Sequence, residues 1–294
     1  MSESLNPLSL RSDRPLEAWR VEILAAIDAT FRELSCPYML VGAMARDLLL
    51  YHVYGGPLPS RRTRHIDFAI AVDSWKIFAG VRDALLALDQ VSPTKVQHRL
   101  RYTSTTVSDA EVDIIPFGKI ASADGSISWP PEFETVMSVA GFEEALKASV
   151  SIAITDSLSM PVVSLPGLAI LKLFAWSDRN EDRDATDLDR VIRSYADAGN
   201  EDRLYDSSLA EEFGFDLDPA GARLLGMDAA VLCKSETLEK LTEIFTSQRV
   251  EELVHQATPR RLDNSASRTA ELVNAFLEPI RRLIEPATRS SLVV

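Results

Sequence analysis

Cysteine is nearly absent from this sequence: only Cys36 and Cys233 occur, far apart and in apolar contexts. That excludes a disulfide framework, leaves no spacing for a structural zinc, and reads as two buried thiols of a reducing compartment. Long apolar runs are missing too. No stretch approaches the roughly 20 residues of a membrane-spanning helix. Residues 1–15 are polar and lack the basic end and apolar run of a signal peptide. The expected location is cytoplasmic, with no membrane partner. Positive charge is in deficit, with 31 Lys and Arg against 44 Asp and Glu and a formal net charge of -13. Such a balance disfavours nonspecific attraction to nucleic acid, while leaving room for a small basic patch. There is no Gly-x-x-x-x-Gly-Lys phosphate loop, no Gly-x-Ser-x-Gly elbow and no His-Glu-x-x-His zinc helix.

What is present is ample apolar material: 46% of the 294 residues are hydrophobic, enough for one large domain or two modest ones. Over residues 16–34, Trp19, Ile23, Leu24, Ile27, Phe31 and Leu34 recur at helical spacing. Cys36-Pro37 ends that helix. Residues 38–41 then read as a buried strand, and 42–50 as a glycine turn running into a second helix. After a loop rich in Gly, Pro and Arg (residues 55–64), Ile66, Phe68, Ile70 and Val72 alternate with Asp67, Ala69, Ala71 and Asp73, the period of a strand. Trp75, Phe78, Val81, Leu85 and Leu86 predict a third helix. Residues 97–106 read as extended, and 111–115 as a strand stopped by Pro116. Beyond a turn-rich stretch, 142–148 reads as a helix and 150–154 and 160–163 as strands. Pro166 suits the first turn of a strong helix. From there the patterns are helical, notably 238–253 and 272–283.

Period two places His65 with Asp67 on one side of one strand, and Glu111 with Asp113 on one side of another. If the strands are neighbours, these groups converge. Carboxylates on rigid strands are what magnesium favours, and a pair of divalent ions held there assists attack on a phosphate. The glycine turn supplies a second element, because backbone N–H groups of Gly42 and Ala43 at a helix start can approach a triphosphate. Arg46, Arg61, Arg62 and Arg64 would add charge-assisted contacts, with Lys172, Arg179 and Arg183 as later cationic candidates.

Those residues carry a family resemblance. A strand ending in Val41-Gly42-Ala43, a helix, an Arg-rich loop and Thr63-Arg64-His65-Ile66-Asp67-Phe68-Ala69-Ile70 resemble the signature of polymerase-β-type nucleotidyltransferases. The run Val112-Asp113-Ile114-Ile115-Pro116-Phe117-Gly118 is similar to the strand bearing their third carboxylate. Leu171-Lys172-Leu173-Phe174-Ala175-Trp176-Ser177-Asp178-Arg179, followed by Arg183-Asp184-Ala185-Thr186-Asp187-Leu188, resembles the C-terminal motif of the AbiEii toxin branch, associated with type IV toxin–antitoxin and phage-defence systems. The resemblance implies that Asp67 and Asp113 bind metal and that Asp113 helps activate the acceptor. It also implies that Lys172 with Asp184 or Asp187 contacts the nucleotide or organises the site. Two positions depart from the pattern: Ala43 replaces a Ser or Gly, and His65 stands where the first carboxylate is expected. Imidazole suits manganese or later metals better than magnesium.

Each motif also has a plain reading. Gly42 can serve only as a turn, His65 as a hydrogen-bonded histidine, Lys172 as a snorkelling side chain, and Arg183, Asp184 and Asp187 as a helix-surface charge network. The expectation is an α/β (α+β) fold, a nucleotidyltransferase-type mixed sheet flanked by helices. It assigns residues 1–15 to a polar extension, 16–165 to the nucleotidyltransferase core and 166–294 to a mainly helical region. The expected activity moves a nucleoside monophosphate from an NTP to a hydroxyl of RNA, protein or a small molecule. Its expected ligands are Asp67, Asp113 and His65 with Mg2+ or Mn2+, and its expected partners are a nucleoside triphosphate and an antitoxin protein. The alternative is a catalytically silent nucleotide-binding or interaction module of the same fold.

Overall fold

The structure, a computed structural model, describes residues 8–59, 64–259 and 265–290, with side chains as far as Ile284. Arg61, Arg62 and Thr63 of the Arg-rich loop lie outside the described residues. The chain divides into two compact units, one ending at Ser164 and the other beginning at Leu165.

The first unit runs β1 (Leu8–Ser9), α1 (Ala18–Glu33), β2 (Tyr38–Val41), α2 (Gly42–Asp47), a π-helical continuation (Leu48–Val53), β3 (His65–Ala71) and α3 (Trp75–Leu86). It goes on through β4 (Val91–Pro93), β5 (Arg99–Tyr102), β6 (Ala110–Phe117), β7 (Ser126–Ser128), β8 (Val136–Ser138), α4 (Phe142–Lys147), β9 (Val150–Thr155) and β10 (Leu158–Val162). Eight strands form one mixed sheet in the order β1-β9-β10-β2-β3-β6-β5-β4, and β7 pairs separately with β8. Leu8–Ser9, inside the stretch expected to be a polar extension, adds a parallel edge strand beside β9.

Helix α1 packs because its apolar stripe is continuous: Ile23, Leu24, Ile27 and Phe31 are fully buried. The Phe31 ring lies 4.8 Å from Tyr38 of β2 and 5.6 Å from Phe68 of β3. Aromatic rings at such separations lock the helix to the central strands. In β3 the alternation works as expected, with Ile66, Phe68 and Ile70 buried while His65 and Asp67 stay half-buried on the other face.

The expected stop at Pro116 does not occur, since β6 continues to Phe117. Phe117 accepts a bond from the Val72 N–H, and Ile114 donates its N–H to His98, so odd residues of β6 face β3 and even ones face β5. Pairing with β5 ends at Arg99 opposite Asp113. The N–H that Pro116 lacks therefore points beyond the last β5 partner, where a proline costs no ladder bond.

Among its described residues the second unit is helical throughout: α5 (Leu165–Arg179), α6 (Asp182–Ser194), α7 (Glu201–Asp206), α8 (Leu209–Glu212), α9 (Leu217–Leu232), α10 (Ser235–Ile244), α11 (Ser247–Ala257) and α12 (Ser265–Ser290). The pattern over 238–253, expected to be helical throughout, is split between α10 and α11. Thr246 accepts the Arg249 N–H through its side chain and so caps a new helix there. Helices α9 and α12 approach closely because Gly226 has no side chain; a Cβ there would strike the carbonyl of Phe276. No helix among the described residues is long and apolar enough to cross a membrane. Both cysteines are free, Cys36 buried and Cys233 half-buried.

Candidate active site

Strands β2, β3 and β6 place the acidic groups. Strand β3 is antiparallel to β2 and parallel to β6, and its register sets Asp67 beside Asp113 and His65 beside Glu111. The parallel pairing brings all four onto one face, as period two requires. Among the described residues, His65, Asp67 and Asp113 are the one group of at least three His, Cys, Asp or Glu whose ligand atoms lie within 4.8 Å of one another. His65 Nε2 stands 2.8 Å from Asp113 Oδ2 and 3.6 Å from Asp67 Oδ1.

Two further side chains converge on Asp113. Arg99, directly cross-strand on β5, donates from Nε to Oδ1 at 2.8 Å and from Nη2 to Oδ2 at 3.0 Å. Its Nη1 lies 3.1 Å from Glu111 Oε2. His98 Nε2 stands 3.7 Å from Asp113 Oδ2, and its ring lies 5.0 Å from that of Trp129. Burial alone would raise the Asp113 carboxyl, but bonds from His65 and Arg99 outweigh it and bring it down to about 2. For His65, burial pulls down, while the bond to Asp113 and the charges of Asp67 and Asp113 prevail and push it up. His98 moves down, chiefly through burial.

Arg99 and His98 were not singled out from the sequence. The alternation Arg99-Leu100-Arg101 mirrors Glu111-Val112-Asp113, and that complementary charge was readable. The antiparallel pairing and register that join them were not.

Gly42 opens α2 at φ +70, and a Cβ on it would run into the carboxylate of Asp67. The turn is thus glycine for two independent reasons, left-handed backbone and close approach. Ala43 follows in the first turn of α2, where helix N–H groups lack intrahelical acceptors. Arg46 is buried, and its guanidinium is held by Asp47, with Nη2 2.7 Å from Oδ1. Arg64 is exposed beside β3, with Nη1 3.5 Å from Ser108 Oγ.

Lys172, Asp184 and Asp187 come together in the second unit. Lys172 of α5 donates from Nζ to Asp184 Oδ1 at 3.0 Å and Asp187 Oδ2 at 2.6 Å, both on α6. Arg179 donates to the other Asp184 oxygen at 2.7 Å. Asp184 is 1% exposed. Burial opposes its charge, but the charges of Lys172 and Arg179 prevail and hold its carboxyl below the usual range.

A family model described as "Nucleotidyl transferase AbiEii toxin, Type IV TA system" matches residues 23–270, which include both clusters. The chain belongs to the AbiEii family. It is therefore a nucleotidyltransferase, an enzyme of NTP-dependent transfer. No curated protein matches it. Solved structures with partial likeness include an antigenic nucleotidyltransferase-like protein from Paracoccidioides brasiliensis, at 17% identity over 72% of this chain and 94% of that one, TM-score 0.41. A lincomycin-bound lincosamide antibiotic adenylyltransferase shares 17% identity over 60% and 97%, TM-score 0.34. A Thermotoga maritima CCA-adding enzyme complexed with tRNA shares 13% over 94% and 72%, TM-score 0.26.

In this AbiEii-family chain the His65, Asp67 and Asp113 cluster has donors suited to a divalent cation: two carboxylates and an imidazole converge within reach of one ion. The Gly42 backbone passes close against the Asp67 carboxylate, leaving no room for a Cβ. Gly42→Ala is expected to cost about 1–2 kcal/mol for the left-handed backbone alone. It is also expected to lower transfer by about 10²-fold by displacing that carboxylate. Thermal denaturation with a single-turnover assay checks both. Parental activity would mean that the turn does not set the carboxylate.

Proposed function

We propose that this AbiEii-family nucleotidyltransferase moves a nucleoside monophosphate from an NTP to an acceptor hydroxyl at the face of β3 and β6, using a divalent cation held by His65, Asp67 and Asp113. The observation that carries the proposal is the cross-strand pairing of Asp67 with Asp113, with His65 against both. A bound Mn2+ or Mg2+ would supply Lewis-acid activation of the hydroxyl and neutralisation of phosphate charge. The imidazole in the donor set favours manganese.

The chain's own groups do the rest. Asp113 is read as the carboxylate that orients the acceptor hydroxyl. Backbone N–H groups of Gly42 and Ala43 face the triphosphate, and exposed Arg64 adds charge at its edge. Arg46 is read as bracing the α2 turn through Asp47. Lys172, Asp184 and Asp187 enter either as nucleotide contacts or as the ion-paired frame of α5 and α6. Whether substituting Lys172 costs stability or activity separates those roles. The acceptor is RNA, protein or a small molecule, and the biological setting is a cytoplasmic toxin held in check by an antitoxin protein.

Labelled NTPs offered with Mn2+ or Mg2+ to mixed RNA and protein acceptors test the reaction. Incorporation that requires the metal and is lost in Asp67→Ala and Asp113→Ala is expected; metal-independent incorporation would remove the proposal. Growth arrest on expression, relieved by a neighbouring gene, tests the toxin setting. A silent binding module has one observation in its favour, His65 in place of a carboxylate. It predicts nucleotide-induced thermal stabilisation without turnover, and recovery of turnover in His65→Asp.

A further inference from the structure

The two carboxylates of this face are placed by different means. Asp67 has the Gly42 backbone close against it, whereas Asp113 is gripped by a guanidinium. Arg99 donates from Nε to Oδ1 at 2.8 Å and from Nη2 to Oδ2 at 3.0 Å, a two-point contact along one edge of the carboxylate. Rotation of an aspartate carboxylate about its last torsion is soft, so a single contact would leave its oxygens free to swing. Two parallel bonds from a planar fork fix the plane of the group.

Arg99 is in turn held on both sides. Antiparallel register sets it opposite Asp113, and period two puts Glu111 on the same face, where its Oε2 lies 3.1 Å from Arg99 Nη1. His65 Nε2 also stands 2.8 Å from Asp113 Oδ2, but that contact is given up when the same nitrogen turns to an ion. His98 Nε2, at 3.7 Å, is beyond hydrogen-bond reach. Arg99 differs from both. A guanidinium has donors only and no lone pair for a metal, so it stays on Asp113 and acts on the cation through that carboxylate.

We infer that Arg99 is a positioning residue of this centre: its two-point grip keeps Asp113 turned for the cation, and Glu111 braces the grip. The inference rests on the divalent-cation reading above and adds that cation affinity depends on the shape of the guanidinium. Shape and charge act in opposite directions. The positive charge of Arg99 repels an approaching cation, so on charge alone its loss would tighten binding. Loss of the grip weakens binding, since a hydrogen-bonding partner of a ligating group typically contributes about 10–100-fold in metal affinity.

Titration of the full chain with Mn2+ alone, followed by electron paramagnetic resonance of the free ion, separates the two without reference to turnover. Arg99→Lys keeps the charge and loses the fork, while Arg99→Gln loses both. Each is expected to weaken Mn2+ binding by about 10–100-fold. In transfer at saturating Mn2+, kcat is expected to fall by about 10²-fold while the KM for the NTP changes by less than about twofold, because the triphosphate is read as lying against the Gly42 turn and not against Arg99. Parental affinity in Arg99→Lys, or tighter binding in Arg99→Gln, would overturn the positioning role and leave metal-dependent transfer intact. No Mn2+ bound by the parental chain would remove the metal reading and this inference together. Should Arg99→Lys not fold, the direction of the change in Arg99→Gln still decides.

Discussion

Asp67→Ala and Asp113→Ala are each expected to lower the rate of nucleotidyl transfer by at least about 10²–10³, the scale of losing one preorganised electrostatic partner of a transition state. The single losses will not add. Groups that act on one reacting centre behave as a unit, so the double variant should be little worse than either single one. Structure distinguishes the two variants in another respect. Asp67 is half-buried, so its removal leaves folding nearly unchanged and also removes the carboxylate that a Cβ on Gly42 would strike. Gly42→Ala should therefore be less damaging to stability in an Asp67→Ala background than alone. Asp113 is buried against Arg99, so its removal strands a guanidinium that then depends on Glu111 and solvent. Single-turnover product formation and urea midpoints on the parental protein and these five variants measure these effects. A single variant turning over at the parental rate would remove Asp67 or Asp113 from the chemistry.

Lys172→Met is expected to destabilise the protein by about 3 kcal/mol, the low end for breaking a buried ion pair, because Arg179 remains on Asp184. The methionine keeps the apolar stem that packs within α5, so the loss isolates the charge. What remains is a 1% exposed Asp184 with one cation instead of two, and an Asp187 carboxylate deprived of its 2.6 Å donor. Urea denaturation of the full chain reads the change directly. A shift under about 1 kcal/mol with transfer abolished would mean that Lys172 serves the nucleotide and that its ion pairs contribute little to folding. A large shift with residual transfer in the folded fraction would assign it to the frame of the second unit.

Much of the fold was legible because its signals are local. The stripe Ile23, Leu24, Ile27 and Phe31 declares a helix whatever it packs on, and the alternation through Ile66, Phe68 and Ile70 declares a strand with one polar face. Asp67 and Asp113 stood out for the same reason, each an acidic residue at a fixed phase of an apolar alternation. Pro116 misled because a proline stops a strand only where its missing N–H has a partner to lose. That depends on where β5 ends, which no local pattern records. The split at Thr246 was missed because apolar spacing continues across the break between α10 and α11, while the cap lies in a single hydroxyl.

The amino-acid order alone determined which residues carry charge at which phase of each strand, that a glycine turn at residue 42 leads from strand into helix, and that a second set of charges follows Lys172. These are properties of one segment at a time, set by the periods of helix and strand. Only the tertiary structure decided that β3 and β6 run parallel with Asp67 level with Asp113, and that β5 lies alongside to deliver Arg99 to the same carboxylate. Strand pairing joins distant parts of the chain, and a slip of one residue would turn every one of these side chains to the opposite face. The chemistry of the face is thus a consequence of register, which arises from the packing of the whole sheet.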